Sequence, residues 1–323
     1  MSLIITRQGI LDTIQDGGRF GYQHLGIGPC GAMDLYSAGL ANALLGKEAY
    51  APVIEFHFPA PEIHFTRDVM ICLTGANFQP RINGRYIPLN QPVYVVKSST
   101  LQFTSNLSGA RAYLSLFPEM RLQPWLSSYS TDLKAGAGGI GRALKKGDCI
   151  ELEAFDFNKT NTLVQPHWKA PERPTSFRDM HFIPGPEWDW LEKKEQTLFL
   201  NERFTITTSG DRMGYRLQGL PLKISRSSML SSATAFGTVQ LFPDGQLVIL
   251  MADHQTTGGY PRVAQIISSS LGVLAQKKPH EQIKFTITGL DTAHEKMMER
   301  KKFLEQLKNT CKFKLEKFLN DSV

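Results

Sequence analysis

The chain has 323 residues, 41% of them hydrophobic and 20% charged, with a formal net charge of +6. This length accommodates two domains with buried cores, and the composition is globular, which excludes a disordered or membrane-embedded chain. No apolar run approaches the roughly 18 residues of a membrane span. The N-terminus MSLIITRQG shows no secretory signal pattern, and Cys30, Cys72, Cys149 and Cys311 are scattered without zinc or disulfide spacing. A cytoplasmic protein with reduced thiols is expected. Its positive charge forms no stripe, which argues against nucleic acid or a membrane surface as a partner.

In chain order, Leu3-Ile4-Ile5 predicts a first strand, followed by the glycine-rich turn from Gln15 to Tyr22. Asp34 is a good N-cap for a helix carrying Leu35, Leu40, Ala41, Leu44 and Leu45, with Gly46 as its C-terminal stop. From Val53 to Leu116 the runs VIEFHF, EIHFT, VMICLTG, VYVVKS, LQFTS and ARAYLSL alternate with Gly, Pro and Asn, the pattern of a β-barrel or sandwich. GAGGIG at Gly136 to Gly141 formally satisfies GxGxxG. It has neither the strand before it nor the full helix after it that dinucleotide binding requires. The Pro-, Lys- and Glu-rich stretch from Lys159 to Ser176 reads as the connection between a first domain, 1–165, and a second, 176–290.

The second half carries a Trp188/Trp190 pair, the strand-like FTITTS, and then Gly210 to Leu220. Arg19 to Ile27 and Arg212 to Leu220 share R-x-G-Y-x-x-x-G-[LI] at an offset of 193, each preceded by an acid, Asp16 and Asp211. This suggests a duplication of two related β-rich domains, with a cleft between them as the expected ligand site. Leu247 to Met251 reads as a buried strand, His254 to Tyr260 as a polar loop, and Pro261 as the opening of a helix. The apolar face of that helix would be Val263, Ile266, Ile267, Leu271 and Leu274. The loop would then lie beside a helix N-terminus that attracts anions. Residues 291–323 form an amphipathic helix of net charge +2.

Walker A, GxSxG and HExxH motifs are absent, and His57 and His64 read as structural. No biotinylation motif is present, and Lys296-Met297-Met298 does not substitute for one. The candidate site is therefore a set of polar residues in glycine-rich turns. Asp253, Arg19 and Arg212 are the catalytic candidates. Gln15, Asp16, Tyr22, Asp34, Tyr215, Gln240, Thr256, Thr257, Gly258, Gly259 and Tyr260 are the substrate-binding ones. Arginine suits carboxylate or phosphate through its bidentate fork, and glycine N–H groups could stabilise an oxyanion on a carbonyl or lactam. Each Arg-Gly-Tyr segment reads equally as an Arg–Asp pair holding a turn, with Tyr packed beneath it.

Five segments carry a family resemblance: Thr13 to Tyr22; Gly31-Ala32-Met33-Asp34 with Ala41-Asn42; Asp211 to Leu217; Gly237-Thr238-Val239-Gln240; and Asp253 to Pro261. In this order they resemble the subdomain A/B half of a biotin-dependent carboxyltransferase domain. That family includes allophanate hydrolase subunit 2, the C subunit of the prokaryotic 5-oxoprolinase and the antagonist of the Kip kinase inhibitor. The resemblance implies a mainly β protein with a few helices, built as duplicated cyclophilin-like β-barrel domains with a C-terminal helix. It implies two partners, a Kip-inhibitor-like B subunit plus a lactam-utilisation A subunit, with ATP used by the complex and no biotin on this chain. The implied reaction is ATP-dependent hydrolysis of 5-oxo-L-proline to L-glutamate. Alternatives are a regulatory protein that antagonises a Kip-like inhibitor, or carboxyl transfer to urea-like amides.

Three positions depart from the family pattern: Phe117-Pro118-Glu119-Met120 replaces a Gly-Gly-Ile-Asp-like segment, Ser128-Tyr129-Ser130-Thr131 replaces Ser-Arg-Ser-Thr, and Pro279-His280-Glu281 replaces Pro-Gly-Asp.

Overall fold

The computed structural model describes residues 2–157, 162–171, 179–226 and 229–320. It is mainly β, with four α-helices among the described residues. The chain divides into two units, each discontinuous in sequence. The first is 1–18, 34–175 and 301–323; the second is 19–33 and 176–300.

In the first unit the strands are β1 (Leu3–Arg7), β2 (Asp12–Gln15), β3 (Val53–Phe56), β4 (Glu62–Phe65), β5 (Val69–Asn77) and β6 (Pro80–Ile82). They continue as β7 (Arg85–Tyr86), β8 (Pro92–Val95), β9 (Thr100–Phe103), β10 (Ser108–Phe117) and β11 (Cys149–Ile150). They form two sheets, ordered β11-β1-β4-β9-β6-β7 and β2-β3-β10-β5-β8. Every run expected from the Gly, Pro and Asn punctuation is a strand. Strand β5 shows why its sequence is apolar throughout: Val69, Ile71 and Leu73 enter the core between the sheets, while Met70 and Cys72 face a second cluster. That cluster is built by helix α1 (Leu35–Leu44) and by the Lys301-onward part of the last helix, α4 (Leu290–Asn320), through Leu40, Leu44, Leu304, Cys311 and Leu315. Asp34 caps α1 as its position predicts, accepting from the Ser37 N–H at 3.1 Å.

The ends of the expected linker, 159–161 and 172–176, lie outside the described residues, as do 321–323 of the C-terminal helix. The middle of that linker packs on the first unit, with Val164 bridged to Tyr94 and the Trp168 indole N–H donating to the Leu44 carbonyl at 3.0 Å.

The second unit holds β12 (Asp179–Pro184), β13 (Phe204–Ile206), β14 (Gly214–Gln218), β15 (Ser232–Ala233) and β16 (Thr238–Leu241). It continues with β17 (Leu247–Leu250), β18 (Thr257–Gly258), β19 (Arg262–Ile266) and β20 (Gln282–Ile287), with helices α2 (Lys193–Asn201) and α3 (Ser268–Ala275). Seven strands close into a barrel, β12-β19-β16-β17-β14-β13-β20, and β15 pairs separately with β18. Phe182, Trp188, Phe199, Phe204 and Phe285 pack edge-to-face and stacked within its core. Each such ring contributes roughly 1.5–3 kcal/mol by burial.

Two expectations are corrected here. Pro261 precedes strand β19, which begins at Arg262, and the helix begins only at Ser268. Val263, Ala264 and Ile266 are buried in the closed barrel, where β19 is paired on both edges, by β12 and β16. Val263 and Ile266 have a helical spacing, and barrel closure overrides it by pairing the segment on both edges. The 254–260 loop consequently has no helix N-terminus at Pro261. The Arg-Gly-Tyr likeness likewise does not mark equivalent elements. Arg212 leads into barrel strand β14, whereas the Arg19 copy leads into a 3-10 turn at Gln23–Leu25, and both copies belong to the second unit. No helix among the described residues is long and apolar enough to cross a membrane.

Candidate functional site

In the second unit the turn after β17 is fixed from both backbone and side chain. The Met251 N–H donates to the Met213 carbonyl at 2.9 Å, and the Asp253 N–H donates to the Arg212 carbonyl at 2.8 Å. The Arg212 guanidinium then returns two bonds to Asp253, Nε to Oδ2 and Nη2 to Oδ1, each 2.8 Å, and Nη2 also reaches the Gly31 carbonyl at 2.7 Å. The side chains are only 4% and 15% exposed, so this fork-to-carboxylate pair is largely desolvated. Arg212 is thus engaged with Asp253 and Gly31, and the pair orients the loop that follows.

That loop is tied down residue by residue. His254 is buried, its Nδ1 lies 2.7 Å from the Gln255 carbonyl, and burial lowers its pKa, which keeps the ring neutral. The Thr234 N–H donates to the Thr256 carbonyl at 3.0 Å, and Thr257–Gly258 forms β18 against Ser232–Ala233. Tyr260 stacks on Phe242 with ring centroids 4.1 Å apart.

Beneath β18 lies Gln240. It belongs to β16, whose Val239 and Leu241 enter the barrel core, so alternation turns Gln240 to the opposite face. It is 0% exposed, and neither its Oε1 nor its Nε2 has a hydrogen-bond partner among the described residues. A Cβ added at Gly258 would sit 2.4 Å from Nε2, so only glycine lets this backbone approach the amide so closely. Opposite Gln240 in register, Arg262 is held by Glu187, with Nε at 3.0 Å and Nη2 at 2.9 Å, and by the Ala233 carbonyl at 2.8 Å.

Of the remaining residues in this unit, Arg19 is fully buried, with its backbone N–H on the Pro29 carbonyl at 2.6 Å. Tyr22 is half-buried and starts the 3-10 turn. Tyr215 points into the barrel core, the packed arrangement weighed for the Arg-Gly-Tyr segments.

Gln15, Asp16 and Asp34 belong to the first unit. The Asp16 carboxylate accepts from the Gly18 N–H at 2.8 Å, the Ser128 hydroxyl at 2.8 Å, the Tyr129 N–H at 2.6 Å and the Ser130 hydroxyl. Ser128 and Ser130 are not among the sequence candidates, although the Ser-Tyr-Ser-Thr stretch that holds them is legible. Tyr129, standing where the family often has Arg, contributes a backbone N–H that any residue but proline would supply. The Gln15 amide nitrogen donates to Thr13 Oγ1 at 3.0 Å and to the Thr131 carbonyl at 3.3 Å. The Asp34 N–H donates to the Tyr113 hydroxyl at 2.8 Å. Burial, with Glu55 and Asp34 nearby, pushes that phenol well up. Tyr113 and Glu55 are invisible in sequence as a polar cluster because each sits in an otherwise apolar strand run.

The family of the carboxyltransferase domain, subdomain A and B, matches residues 25–287, a range that includes Asp34, Arg212, Gln240 and the whole 253–260 loop. The chain belongs to this family. It is 34% identical over 299 residues to the 5-oxoprolinase C subunit of Haemophilus influenzae, across 92% of this chain and 94% of that one. It is 32% identical to urea amidolyase of Saccharomyces cerevisiae over 87% of this chain, but spans only 16% of that much longer protein. The solved structure of the Kluyveromyces lactis urea amidolyase shares the fold, with a TM-score of 0.85 at 24% identity over 95% of this chain and 20% of that one. Within the family match, Gln15, Asp16, Arg19 and Tyr22 fall before the matched range, whereas the Gln240 and 253–260 segments fall inside it.

Proposed function

We propose that the chain is the C-type subunit of a 5-oxoprolinase-type complex, which opens 5-oxo-L-proline to L-glutamate with consumption of ATP. The observation that carries this reading is the end-to-end correspondence with a 5-oxoprolinase C subunit, 92% of one chain on 94% of the other. A lactam is a poor electrophile. Phosphorylation of its oxygen gives water a leaving group to displace, and a protein assists by positioning the ring and stabilising charge on that oxygen. The second unit offers the parts for positioning: the buried Gln240 amide, the Gly258-Gly259 backbone, and the Arg212–Asp253 pair that orients the loop above it.

In this reading two further proteins, one Kip-inhibitor-like and one of the lactam-utilisation type, complete the enzyme and hold the nucleotide. The chain's own glycine run does not suit a triphosphate. Asp132 precedes Gly136–Gly141 and already takes the Lys134 and Ala135 N–H groups at 3.0 and 2.9 Å, and the next regular element is strand β11, not a helix. The test is glutamate release from 5-oxo-L-proline and ATP by this chain with its co-expressed partners, each omitted in turn. Turnover that requires the chain supports the assignment; a stable complex that releases no glutamate refutes it.

A second reading, carboxyl transfer to urea-like amides, is favoured by the likeness to urea amidolyase at 32% identity. It predicts urea-dependent decarboxylation of a carboxybiotin carrier supplied in trans, with no glutamate formed.

A further inference from the structure

Buried polar groups in folded proteins almost always find a partner, and one that does not calls for an explanation. Among the described residues, Gln240 alone has both polar atoms of its side-chain amide buried without one. It cannot resolve this by titrating, as a buried acid can. Its donor and its acceptor lie side by side on the outward face of β16, beneath the two-residue strand β18.

We propose that the Gln240 carboxamide recognises the amide edge of the substrate, pairing with a cis amide through two hydrogen bonds. A carboxamide presents an N–H donor and a C=O acceptor on the same edge. A five-membered lactam is locked cis, so its own N–H and C=O also share one edge, and urea offers the same pair. The lactam N–H then donates to Gln240 Oε1 while Gln240 Nε2 donates to the lactam oxygen. This leaves the other lone pair of that oxygen open to an electrophile. A linear peptide amide is trans and cannot make both bonds, and a lactam alkylated on nitrogen lacks the donor. The proposal deepens the function above and rests on it for the substrate class.

The geometry also says how the ligand arrives. Gln240 is covered by Gly258, with the Gln255 amide nitrogen 3.3 Å from the position of a Gly258 Cβ. The cover is a pairing of two residues with two, Thr257–Gly258 with Ser232–Ala233, flanked by a long 3.4 Å bond from the Met229 N–H to the Gly259 carbonyl. The loop is held on either side, by the Thr234 N–H on the Thr256 carbonyl at 3.0 Å and by the Tyr260 ring on Phe242. It is this short pairing between those anchors that must part for a ligand to reach Gln240.

The test has two arms. In the reconstituted complex, Gln240→Leu and Gln240→Glu should raise KM for 5-oxo-L-proline roughly ten- to a hundredfold, the loss expected for two neutral hydrogen bonds, with a much smaller change in kcat. A folded Gln240→Leu complex with unchanged KM overturns the proposal and leaves the reaction standing. The second arm uses the wild-type chain labelled with nitrogen-15 at glutamine. The side-chain resonance pair missing from Gln240→Leu should shift on adding 5-oxo-L-proline or urea and stay still with N-methyl-2-pyrrolidone. No shift with either amide at saturating concentration overturns the proposal. A shift in a complex that releases no glutamate keeps Gln240 as an amide-binding group and removes only the reaction.

Discussion

Two strands of similar local sequence carry buried glutamines with different surroundings. Thr13-Ile14-Gln15 closes β2 in the first unit, and Thr238-Val239-Gln240 lies in β16 of the second. Both glutamines are 0% exposed. The Gln15 amide nitrogen is tied to Thr13 and Thr131, and the adjacent Asp16 accepts four bonds. Gln240 has no partner on either atom among the described residues. The Gln15 amide is anchored through its nitrogen, although its Oε1 has no partner among the described residues. The Gln240 amide is anchored through neither atom and keeps both a donor and an acceptor for a polar ligand. The Gln15-Asp16 end of the glycine-rich turn therefore reads as architecture, and the Gln240 region as the place where the proposed ligand contact is to be tested.

The largest effect expected concerns what holds the second turn in place. Arg212→Ala leaves the Asp253 carboxylate without its fork, and the Gly31 carbonyl loses a donor as well. Breaking a largely buried ion pair from one side costs about 3–5 kcal/mol, readable by denaturant unfolding of the second unit. A loss below about 1 kcal/mol would show the pair to be solvent-relaxed and would weaken the view that it orients the 253–260 loop.

Asp12 shows the other way a buried polar group can be settled. Its Oδ2 accepts from the Gly9 N–H at 2.6 Å, its Oδ1 has no partner among the described residues, and burial raises its pKa from 3.8 to about 7. A folded-state pKa above the unfolded one means stability is fully present below pH 3.8 and is lost as pH rises towards and through about 7. At ~1.4 kcal/mol per unit, the loss is on the order of 4 kcal/mol. Asp12→Asn keeps an acceptor for Gly9 and removes the charge, so its contribution to stability should be flat across that window. A wild-type profile already flat there would contradict the assignment.

The fold is legible in the sequence because its signal is repeated. The runs from Val53 to Leu116 are short, rich in apolar residues and bounded by Gly, Pro and Asn, and Asp34 stands at the N-cap position of its helix. The site is legible only in part. Asp253, Gln240 and Gly258 stand out through motif segments, but pairing across the chain decides their roles, as with Arg212 taking Asp253 at 41 residues' separation. The β19 segment reads as a helix because Val263, Ile266 and Ile267 fall at i, i+3 and i+4, and only pairing with its barrel neighbours makes it a strand. Ser128 and Ser130 matter through a carboxylate more than a hundred residues away. No local pattern encodes that.

The two glutamines can be tested directly against each other. Gln15→Leu removes two donated bonds and leaves the Thr131 carbonyl short of a partner, so it should destabilise by about 1–2 kcal/mol. Gln240→Leu removes an amide that bonds nothing among the described residues and should be neutral or slightly stabilising. Equal destabilisation by both, measured as thermal midpoints, would place Gln240 with the architectural groups.

The finest distinction separates the adjacent glycines. Neither Gly258 nor Gly259 has a positive φ, so backbone freedom explains neither one. A methyl at Gly258 would meet Gln240 Nε2 at 2.4 Å, whereas one at Gly259 would meet only the Met229 carbonyl at 3.4 Å and the Ser231 hydroxyl at 3.7 Å, ordinary contacts. The group displaced by Gly258→Ala is the end of a flexible side chain, so the fold should survive with a loss below about 1 kcal/mol. The amide, though, turns away from the position in which it would meet a ligand. Gly258→Ala should therefore move the Gln240 side-chain resonances in the absence of ligand and raise KM, while Gly259→Ala leaves those resonances where they are. If both substitutions move the Gln240 resonances equally, the effect belongs to the loop as a whole, and the close approach of Gly258 to the amide is not what selects glycine there.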